Sequence, residues 1–410
     1  MSDENLAASA DDAVPVLQSA GEHEPEPTPR SHRRYWLLLT IGLAAYVSLF
    51  FLGGWWWRFA LAGLQSIPFL ILAILAYVAD HKPHWRPASF IYWAILMVVV
   101  AGIVLLLSMA AVMRPEAISA MVKPGAGRYD GPVFVPGGAL QILQIAVAFI
   151  GVGILSLCFY LGNVRRSVAG LLPTYSGSYV HAVAVATVFT ITAVLVFPLI
   201  ILGEPPVLRL FQGIDGTESI SGMSRKEQIF DTPAGLIWLV PCAILAVGYP
   251  FARTIRESLE RIGLVRPTRG QVVFAVLAAL ALVGVMHGVD YGIQWLWTAM
   301  GWPVTDARAF EQLMEFALNP VGAAVIGVTA GLGEELFARG VLQPRIGILL
   351  SNLLFTAAHA LQYNWDALTS VFLIGLVLGL IRQKSNTTTS AIVHGTYDFT
   401  LLLGTYYGWF

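Results

Sequence analysis

NPVGAAVIGVTAGLGEELFARG, residues 319–340, joins an apolar run of membrane-spanning character to a charged end. Glu334 and Glu335 are adjacent, and Arg339 follows four residues after Glu335. An ionisable group at the bilayer centre costs on the order of 3 kcal/mol even on lenient insertion scales, so it marks a functional site by default. The stretch therefore indicates a membrane protein whose chemistry lies within or near the bilayer.

The composition of the whole chain agrees with a membrane protein. Hydrophobic residues make up 57% of the 410 residues and charged residues only 12%, whereas soluble domains carry about 25% charged residues. Apolar runs of roughly 20 residues recur along the chain, as in membrane-spanning helices. We therefore predict an all-α, polytopic transmembrane helical bundle. The net charge of −1 says nothing about nucleic acid, but no basic patch with interleaved aromatic residues occurs, so we expect no nucleic-acid partner.

The apolar runs predict about eleven spans and three regions. The spans cover residues 35–54, 57–79, 90–113, 139–161, 179–202, 232–250, 270–297, 320–344, 347–361, 367–381 and 387–404. A polar, acidic and Pro-rich segment, 1–34, precedes them and predicts a disordered cytoplasmic tail. The basic loop at 251–271 then separates an N-terminal six-helix membrane region, 35–250, from a C-terminal domain, 260–410.

The basic residues before the first span set the expected orientation. Arg30, Arg33 and Arg34 precede this span directly. Because Lys and Arg concentrate in cytoplasmic segments, we expect a cytoplasmic N-terminus and a multi-pass location in the cell membrane. With eleven spans, most of the other Lys and Arg residues fall on the same side, and the C-terminus falls outside the cytoplasm.

Four ionisable residues of the C-terminal half are predicted to lie at similar depth. If QPRIG, 343–347, forms a cytoplasmic turn, Glu334 and His359 lie roughly 16 and 21 Å from it, at about 1.5 Å per residue. The start of the last helix places His394 at roughly 12 Å and Asp398 at roughly 18 Å from the same face. Three separate helices are thus expected to bring polar groups to one layer of the membrane.

The spacings suggest how these residues pair. Glu335 and Arg339 are four apart, so they can form an ion pair along one helix face. Glu334 points about 100° away from Glu335 and is free to face another helix. His394 and Asp398 are also four apart, so the carboxylate can orient the imidazole. The small residues of GLVLG, 375–379, would let neighbouring helices approach and tighten the cluster.

Such a set of residues fits hydrolysis. A carboxylate can take a proton from a water that it shares with a histidine, while further donors stabilise the oxyanion of a tetrahedral intermediate. Glu334 suits the role of base because Glu335 has its own partner. Glu334, His359 and His394 could equally hold a divalent metal such as zinc, although the chain has no H-E-x-x-H motif. Both routes stay open at this point.

Three short motifs carry a resemblance to a known family. EELFAR contains Glu334, Glu335 and Arg339 in the pattern E-E-x-x-x-R; FTAAH ends in His359 in F-x-x-x-H; and HGTYD fits H-x-x-x-[N/D]. In this order on successive membrane helices, they resemble the CPBP family of intramembrane proteases, also called Abi. That family includes CAAX prenyl endopeptidases and bacteriocin-processing or immunity proteins. The resemblance covers about residues 260–410.

The resemblance implies roles for the six residues. Glu334 and His359 would activate the attacking water, and His394 with residue 398 would form the oxyanion site. Glu335 and Arg339 would complete the first motif. The CAAX enzymes carry Asn at the last position, whereas this chain has Asp398, which is expected to support His394. This difference leaves open whether the substrates are prenylated. Family members have been called metalloproteases and glutamate proteases, and a membrane-associated peptide or protein is the expected substrate.

Other interpretations of the same residues are also open. The Glu335–Arg339 and His394–Asp398 pairs could be structural, and His287 with the nearby Asp290 forms a further pair that we interpret as packing near the outer half. Acids and histidines inside a membrane also occur in proton- or ion-coupled transporters. A non-catalytic immunity or binding protein is a third possibility.

Overall fold

The computed structural model describes residues 33–122, 129–168, 177–212, 223–250 and 252–409. These residues form helices and connecting turns, and no β-strand occurs among them apart from an isolated bridge between Met113 and Phe134. The predicted all-α class is therefore confirmed. Residues 1–32 of the predicted tail lie outside the described residues.

The described helices follow one another along the chain in this order. They are α1 (Arg33–Leu49), α2 (Gly54–Gly63), α3 (Ile67–His81), α4 (Arg86–Ala111), α5 (Pro115–Val122), α6 (Gly138–Ser156), α7 (Gly162–Val168), α8 (Tyr179–Leu202), α9 (Pro206–Gln212), α10 (Arg225–Ala246), α11 (Ile255–Ile262), α12 (Arg269–Ala299), α13 (Ala307–Met314), α14 (Pro320–Glu335), α15 (Gln343–Ala357), α16 (Trp365–Lys384) and α17 (Thr387–Tyr407). A π-helical segment, Leu336–Leu342, joins α14 to α15.

The predicted count of about eleven spans is not confirmed. Within the described ranges, seven helices are long and apolar enough to cross a membrane, or eight if the bent pair α2 and α3 forms one span. The α1 helix is shorter than the predicted span 35–54. The last predicted span, 387–404, coincides with α17 and is not among the seven. The hydropathy of α17 is lowered by its polar residues, which are threonines, a serine, a histidine and an aspartate. Some of these polar groups face neighbouring helices.

The predicted turn at 343–347 is present as a kink at Gly347 within α15. Gly347 has φ 80° and ψ 170°, outside helical values, in a region that glycine adopts without steric cost. A straight helix would hold Glu334 and His359 about 37 Å apart, whereas their side chains lie 3.9 Å apart. The chain therefore reverses direction at Gly347.

The helix that carries Glu334 and Glu335 continues through Arg339, as the charges inside the apolar run suggested, but it changes type. It is α-helical up to Glu335 and π-helical from Leu336 to Leu342. A π-helix bonds residue i to i+5, is rare, and is frequent at functional sites. Arg339 lies in the middle of this segment and is buried.

Two glycines allow α14 and α17 to approach closely. A β-carbon at Gly331 would lie 2.5 Å from the Cα atom and from the backbone nitrogen of Gly395. Gly395 in turn faces the backbone carbonyl of Gly327. The backbones are therefore in direct contact at the level where the acidic residues of α14 face the polar residues of α17.

The N-terminal helices pack against the C-terminal ones rather than apart from them. Val185 and Val188 of α8 share an apolar cluster with Ile346 and Leu354 of α15. Val247, after α10, lies in a cluster with Leu336 of the π segment. Helices α12, α16 and α17 form a further core. Helices before residue 251 therefore pack against the π segment and α15. The domain boundary proposed at 251–271 stays a prediction.

Candidate active site

The six residues singled out in the sequence lie together in the structure. Glu334 and Glu335 are at the end of α14, and Arg339 is in the π segment. His359 lies two residues after the end of α15, and His394 and Asp398 are one turn apart on α17. The structure therefore brings together side chains that the depth calculation from the sequence assigned to one layer of the membrane.

Glu335 is the buried centre of this cluster. Its side chain is 0% exposed, and its Oε1 atom lies 3.1 Å from Nδ1 of His394, which donates the hydrogen bond. Its Oε2 atom lies 3.6 Å from Nε of Arg339, an ion-pair contact longer than a hydrogen bond. The sequence predicted the pairing with Arg339 but not the hydrogen bond to His394. Glu335 thus connects the first and third motifs.

Arg339 is fixed by contacts with three further groups. Its Nη2 atom donates to the carbonyl oxygen of Gly375 at 2.8 Å and to Oδ1 of Asn352 at 3.4 Å. Its guanidinium lies 4.3 Å from the ring centroid of Phe355, a cation–π contact. Asn352 also donates to the carbonyl of Phe372 at 2.9 Å. The guanidinium therefore holds α15 and α16 against the π segment while it neutralises Glu335.

Gly375 makes this arrangement possible, as its place in GLVLG suggested. A β-carbon at this position would overlap the side-chain amide of Asn352 and approach Arg339 Nη2. Only glycine leaves its carbonyl accessible to the guanidinium at this point. The predicted role of the small residues in tightening the cluster agrees with this geometry.

His359 has a defined tautomer when it is neutral. Its Nδ1 atom lies 2.9 Å from the carbonyl oxygen of Phe355. A carbonyl oxygen only accepts, so Nδ1 carries the proton, and Nε2 presents a lone pair. Nε2 lies 3.9 Å from Oε2 of Glu334. The two acceptors thus face each other across a gap too long for a direct hydrogen bond.

Glu334 differs from its neighbour in exposure. Its side chain is 37% exposed, compared with 0% for Glu335. Its Oε2 atom also lies 4.0 Å from Nε2 of His394, which in turn lies 3.4 Å from Oδ2 of Asp398. Carboxylates therefore surround the ring of His394, and of the two glutamates only Glu334 is open to solvent or substrate.

The suggested metal ligands are not arranged around a common point. Among the residues that the structure describes, no group of three or more His, Cys, Asp or Glu side chains is positioned to hold a metal ion. Ligand atoms of a tetrahedral zinc site are about 3.4 Å apart, whereas Glu334 lies 3.9 Å from His359 and 4.0 Å from His394. In this geometry the residues do not fit zinc, and the metal prediction is not confirmed.

The structure adds site residues that the sequence interpretation did not single out. Asn352 contacts Arg339, and Tyr363 stacks on His359 with ring centroids 5.7 Å apart and an interplanar angle of 2°. One signal for Asn352 was available, because it is an isolated amide in an apolar run and lies seven residues, two helical turns, before His359. Tyr363 lies beyond the end of α15, where helical spacing no longer predicts which way a side chain points.

His287 and Asp290, the other histidine–aspartate pair singled out in the sequence, are not part of this cluster. Asp290 of α12 accepts a hydrogen bond from Ser370 of α16, and His287 is exposed. Asp290 therefore ties α12 to α16, in agreement with the packing role expected for it.

Taken together, the fold and the cluster define a multi-pass helical membrane protein with acids and histidines buried between its C-terminal helices. Residues 316–400 match the family model described as "Type II CAAX prenyl endopeptidase Rce1-like". This segment holds all three motifs, and the match agrees with the resemblance to the CAAX prenyl endopeptidases that the sequence indicated. The match indicates a peptidase of the intramembrane CAAX type that acts on a membrane-associated peptide. No curated protein and no solved structure matches the chain in the corresponding comparisons.

Proposed function

We propose that this protein hydrolyses peptide bonds of a membrane-associated substrate with a water held between Glu334 and His359. The observation that carries the proposal is the 3.9 Å gap between Glu334 Oε2 and His359 Nε2. A water in this gap donates one hydrogen bond of about 2.8 Å to each acceptor. Its lone pairs then point away from both groups and are available to a carbonyl carbon.

The steps of the reaction follow from this placement. The water oxygen forms a bond to the scissile carbonyl carbon, and Glu334 takes the proton as general base. The tetrahedral intermediate then collapses, the carbon–nitrogen bond breaks, and the proton passes from Glu334 to the leaving amine. His359 orients the water through Nε2 because its Nδ1 proton is held by Phe355.

His394 is the proposed donor to the oxyanion. Its Nδ1 proton is held by Glu335 at 3.1 Å, so an imidazolium presents its Nε2–H toward the space beside Glu334. Asp398, 3.4 Å from Nε2, supports the positive charge. Arg339 keeps Glu335 ionised for this purpose. A donor of this kind, fixed in place before the reaction, stabilises charge that develops in the transition state.

An apolar cavity supports a substrate with a hydrophobic segment. It has a volume of about 270 Å³ and lies between α3, α8, α10 and the π segment. Phe337, Val341 and Ala358 line one side of it, and Ala358 directly precedes His359. Helices of the N-terminal region thus form walls of a chamber that borders the cluster. We propose that residues 35–250 contribute to substrate binding and that residues 260–410 carry the chemistry.

The location of the cleavage follows from the proposed orientation. Arg30, just before α1, and Arg33 and Arg34, at its start, favour a cytoplasmic N-terminus in the cell membrane. We propose that cleavage takes place within or near the cytoplasmic half of the bilayer.

The experiment compares the purified wild-type protein with the Glu334→Ala and His359→Ala variants in proteoliposomes that contain a membrane peptide reporter. We expect each variant to lose cleavage while its abundance and thermal stability stay near those of the wild type. Near-normal cleavage by either variant contradicts the proposal. Ion or proton flux that both substitutions abolish, without cleavage by the wild type, favours a transporter. Loss of folded protein in the variants favours a structural role.

A further inference from the structure

The proposed reaction leaves the oxyanion with few donors. The carboxylates of Glu334, Glu335 and Asp398 accept hydrogen bonds, and the Nδ1 proton of His359 is held by the Phe355 carbonyl. The Nδ1 proton of His394 is held by Glu335. Among the ring N–H groups of the cluster, only the one at Nε2 of His394 therefore remains free to donate to the oxyanion. Oxyanion sites characteristically present more than one donor.

Tyr363 brings a phenol to the same place. Its ring lies parallel to that of His359, with centroids 5.7 Å apart and an interplanar angle of 2°. The backbone nitrogen of Tyr363 donates to the carbonyl of His359 at 2.9 Å. Phe310 of α13 contacts the Tyr363 ring with a centroid distance of 5.0 Å. The ring is therefore held between α13 and the histidine that positions the water.

The ring of Tyr363 stacks on His359, whose Nε2 atom faces Glu334, so the phenol belongs to the same part of the molecule as the reaction site. Among the charged groups of the cluster, the carboxylates of Asp398 and Glu334 are near enough to act electrostatically on the Tyr363 side chain. These two residues belong to different helices, α17 and α14, and flank His394 Nε2. A phenol near both of them can reach the space in which the oxyanion forms. Its single O–H is a donor at neutral pH.

We propose that the Tyr363 hydroxyl is a catalytic group that donates a hydrogen bond to the oxyanion, beside His394. The proposal rests on the hydrolytic function proposed above. Asp398 acts as an acceptor toward His394, so it does not supply this donor itself. Tyr363 thus provides the neutral donor that this cluster of carboxylates and histidines otherwise lacks.

The alternative is that only the ring of Tyr363 matters, as a surface that holds His359 in place. Phenylalanine stacks on a histidine as well as tyrosine does, so the two roles separate cleanly. Tyr363→Phe removes the oxygen and keeps the ring, whereas Tyr363→Leu removes both. Tyr406→Phe, at an exposed position near the end of α17, is a matched control for the loss of a hydroxyl.

The test measures kcat and KM for reporter cleavage and the affinity of a phosphinate peptide, which imitates the tetrahedral intermediate. We expect Tyr363→Phe to lower kcat about 100-fold and to weaken phosphinate binding by a similar factor, because one oxyanion donor contributes 10²–10³ in rate. KM and the melting temperature should stay near wild-type values, as should every parameter of Tyr406→Phe. A wild-type kcat in Tyr363→Phe overturns the proposal, including the case in which Tyr363→Leu alone is impaired.

The result is also distinguishable from failure of the proposed function. If Glu334→Ala retains cleavage, the hydrolytic mechanism itself is wrong. If Glu334→Ala is inactive and Tyr363→Phe is fully active, the mechanism stands and only the assignment of Tyr363 is wrong.

Discussion

The contact between α14 and α17 offers a prediction that depends on geometry alone. Gly331→Ala places a methyl group 2.5 Å from both Cα and the backbone nitrogen of Gly395, and 3.0 Å from the carbonyl oxygen of Ala391. Carbon atoms in contact are normally about 3.5–4.0 Å apart. All three neighbours are backbone atoms, so no side-chain rotation relieves the overlap. The two helices must therefore separate by about 1 Å.

This separation acts directly on the site. Glu335 follows Gly331 on α14, and its carboxylate accepts from His394 of α17 at 3.1 Å. An increase of about 1 Å takes this pair outside hydrogen-bonding range. A misplacement of this size can lower a catalytic rate about 100-fold. We expect that loss in kcat, together with about 1–3 kcal/mol of destabilisation from overpacking.

The assay is reporter cleavage by purified protein in proteoliposomes, with thermal unfolding followed in parallel. Gly333→Ala is the matched control, since its methyl group would meet side-chain atoms of Leu239 and Leu236 at 3.5 and 3.6 Å, ordinary contacts. We expect this control to stay within about twofold of wild type. Equal activity of the two variants would refute the inference that the α14–α17 contact sets the Glu335–His394 distance.

Two further predictions concern Arg339 and the metal alternative. Arg339→Lys keeps the charge but loses the stacking on Phe355 and the planar guanidinium that reaches two acceptors, so we expect cleavage to fall at least tenfold. The control Arg256→Lys, in an exposed ion pair, should leave cleavage unchanged. Equal cleavage by both variants would count against the role of Arg339 in holding α15 and α16 against the π segment. Treatment with a chelator should leave cleavage unchanged, and the purified protein should hold no stoichiometric zinc, because no three His, Cys, Asp or Glu side chains among the described residues are arranged to hold a metal ion. A loss of cleavage on chelation that zinc reverses would instead assign Glu334, His359 and His394 as ligands.

Part of the site follows from the sequence because helical rise is a fixed length. Counting residues from the turn at 343–347 placed Glu334 and His359 at one depth, and the structure brings them within 3.9 Å. The same calculation does not say which way each helix is turned about its own axis, and so which side chains of different helices face each other. It therefore paired Glu335 with Arg339 along one helix and missed the contact of Glu335 with His394 on another.

Other features depend on tertiary structure and are not visible in a hydropathy pattern. The span count assumed that each apolar run crosses the membrane once, whereas α2 and α3 form a bent pair and α1 is short. The π segment at Leu336–Leu342 contains no proline, so nothing in its sequence signals the change of helix type. Tyr363 lies past a helix end, where its position is set by Phe310 and His359.

Two adjacent glutamates receive different environments from one helix. Glu335 is fully buried between Arg339 and His394, so its charge is fixed by its partners. Glu334 is about one-third exposed and faces a second acceptor across a gap. The first suits a structural and electrostatic role, and the second suits proton transfer to and from a water.

Single-turnover cleavage by Glu334→Gln tests this division most directly. The amide keeps the size of the side chain but cannot take a proton from water, so we expect the rate to fall 10²–10⁴-fold, the usual contribution of a general base. Glu260→Gln, which makes the same change in an exposed ion pair on α11, should cleave at the wild-type rate. A Glu334→Gln protein that folds normally and cleaves the reporter within a few-fold of wild type would contradict the assignment of Glu334 as the base.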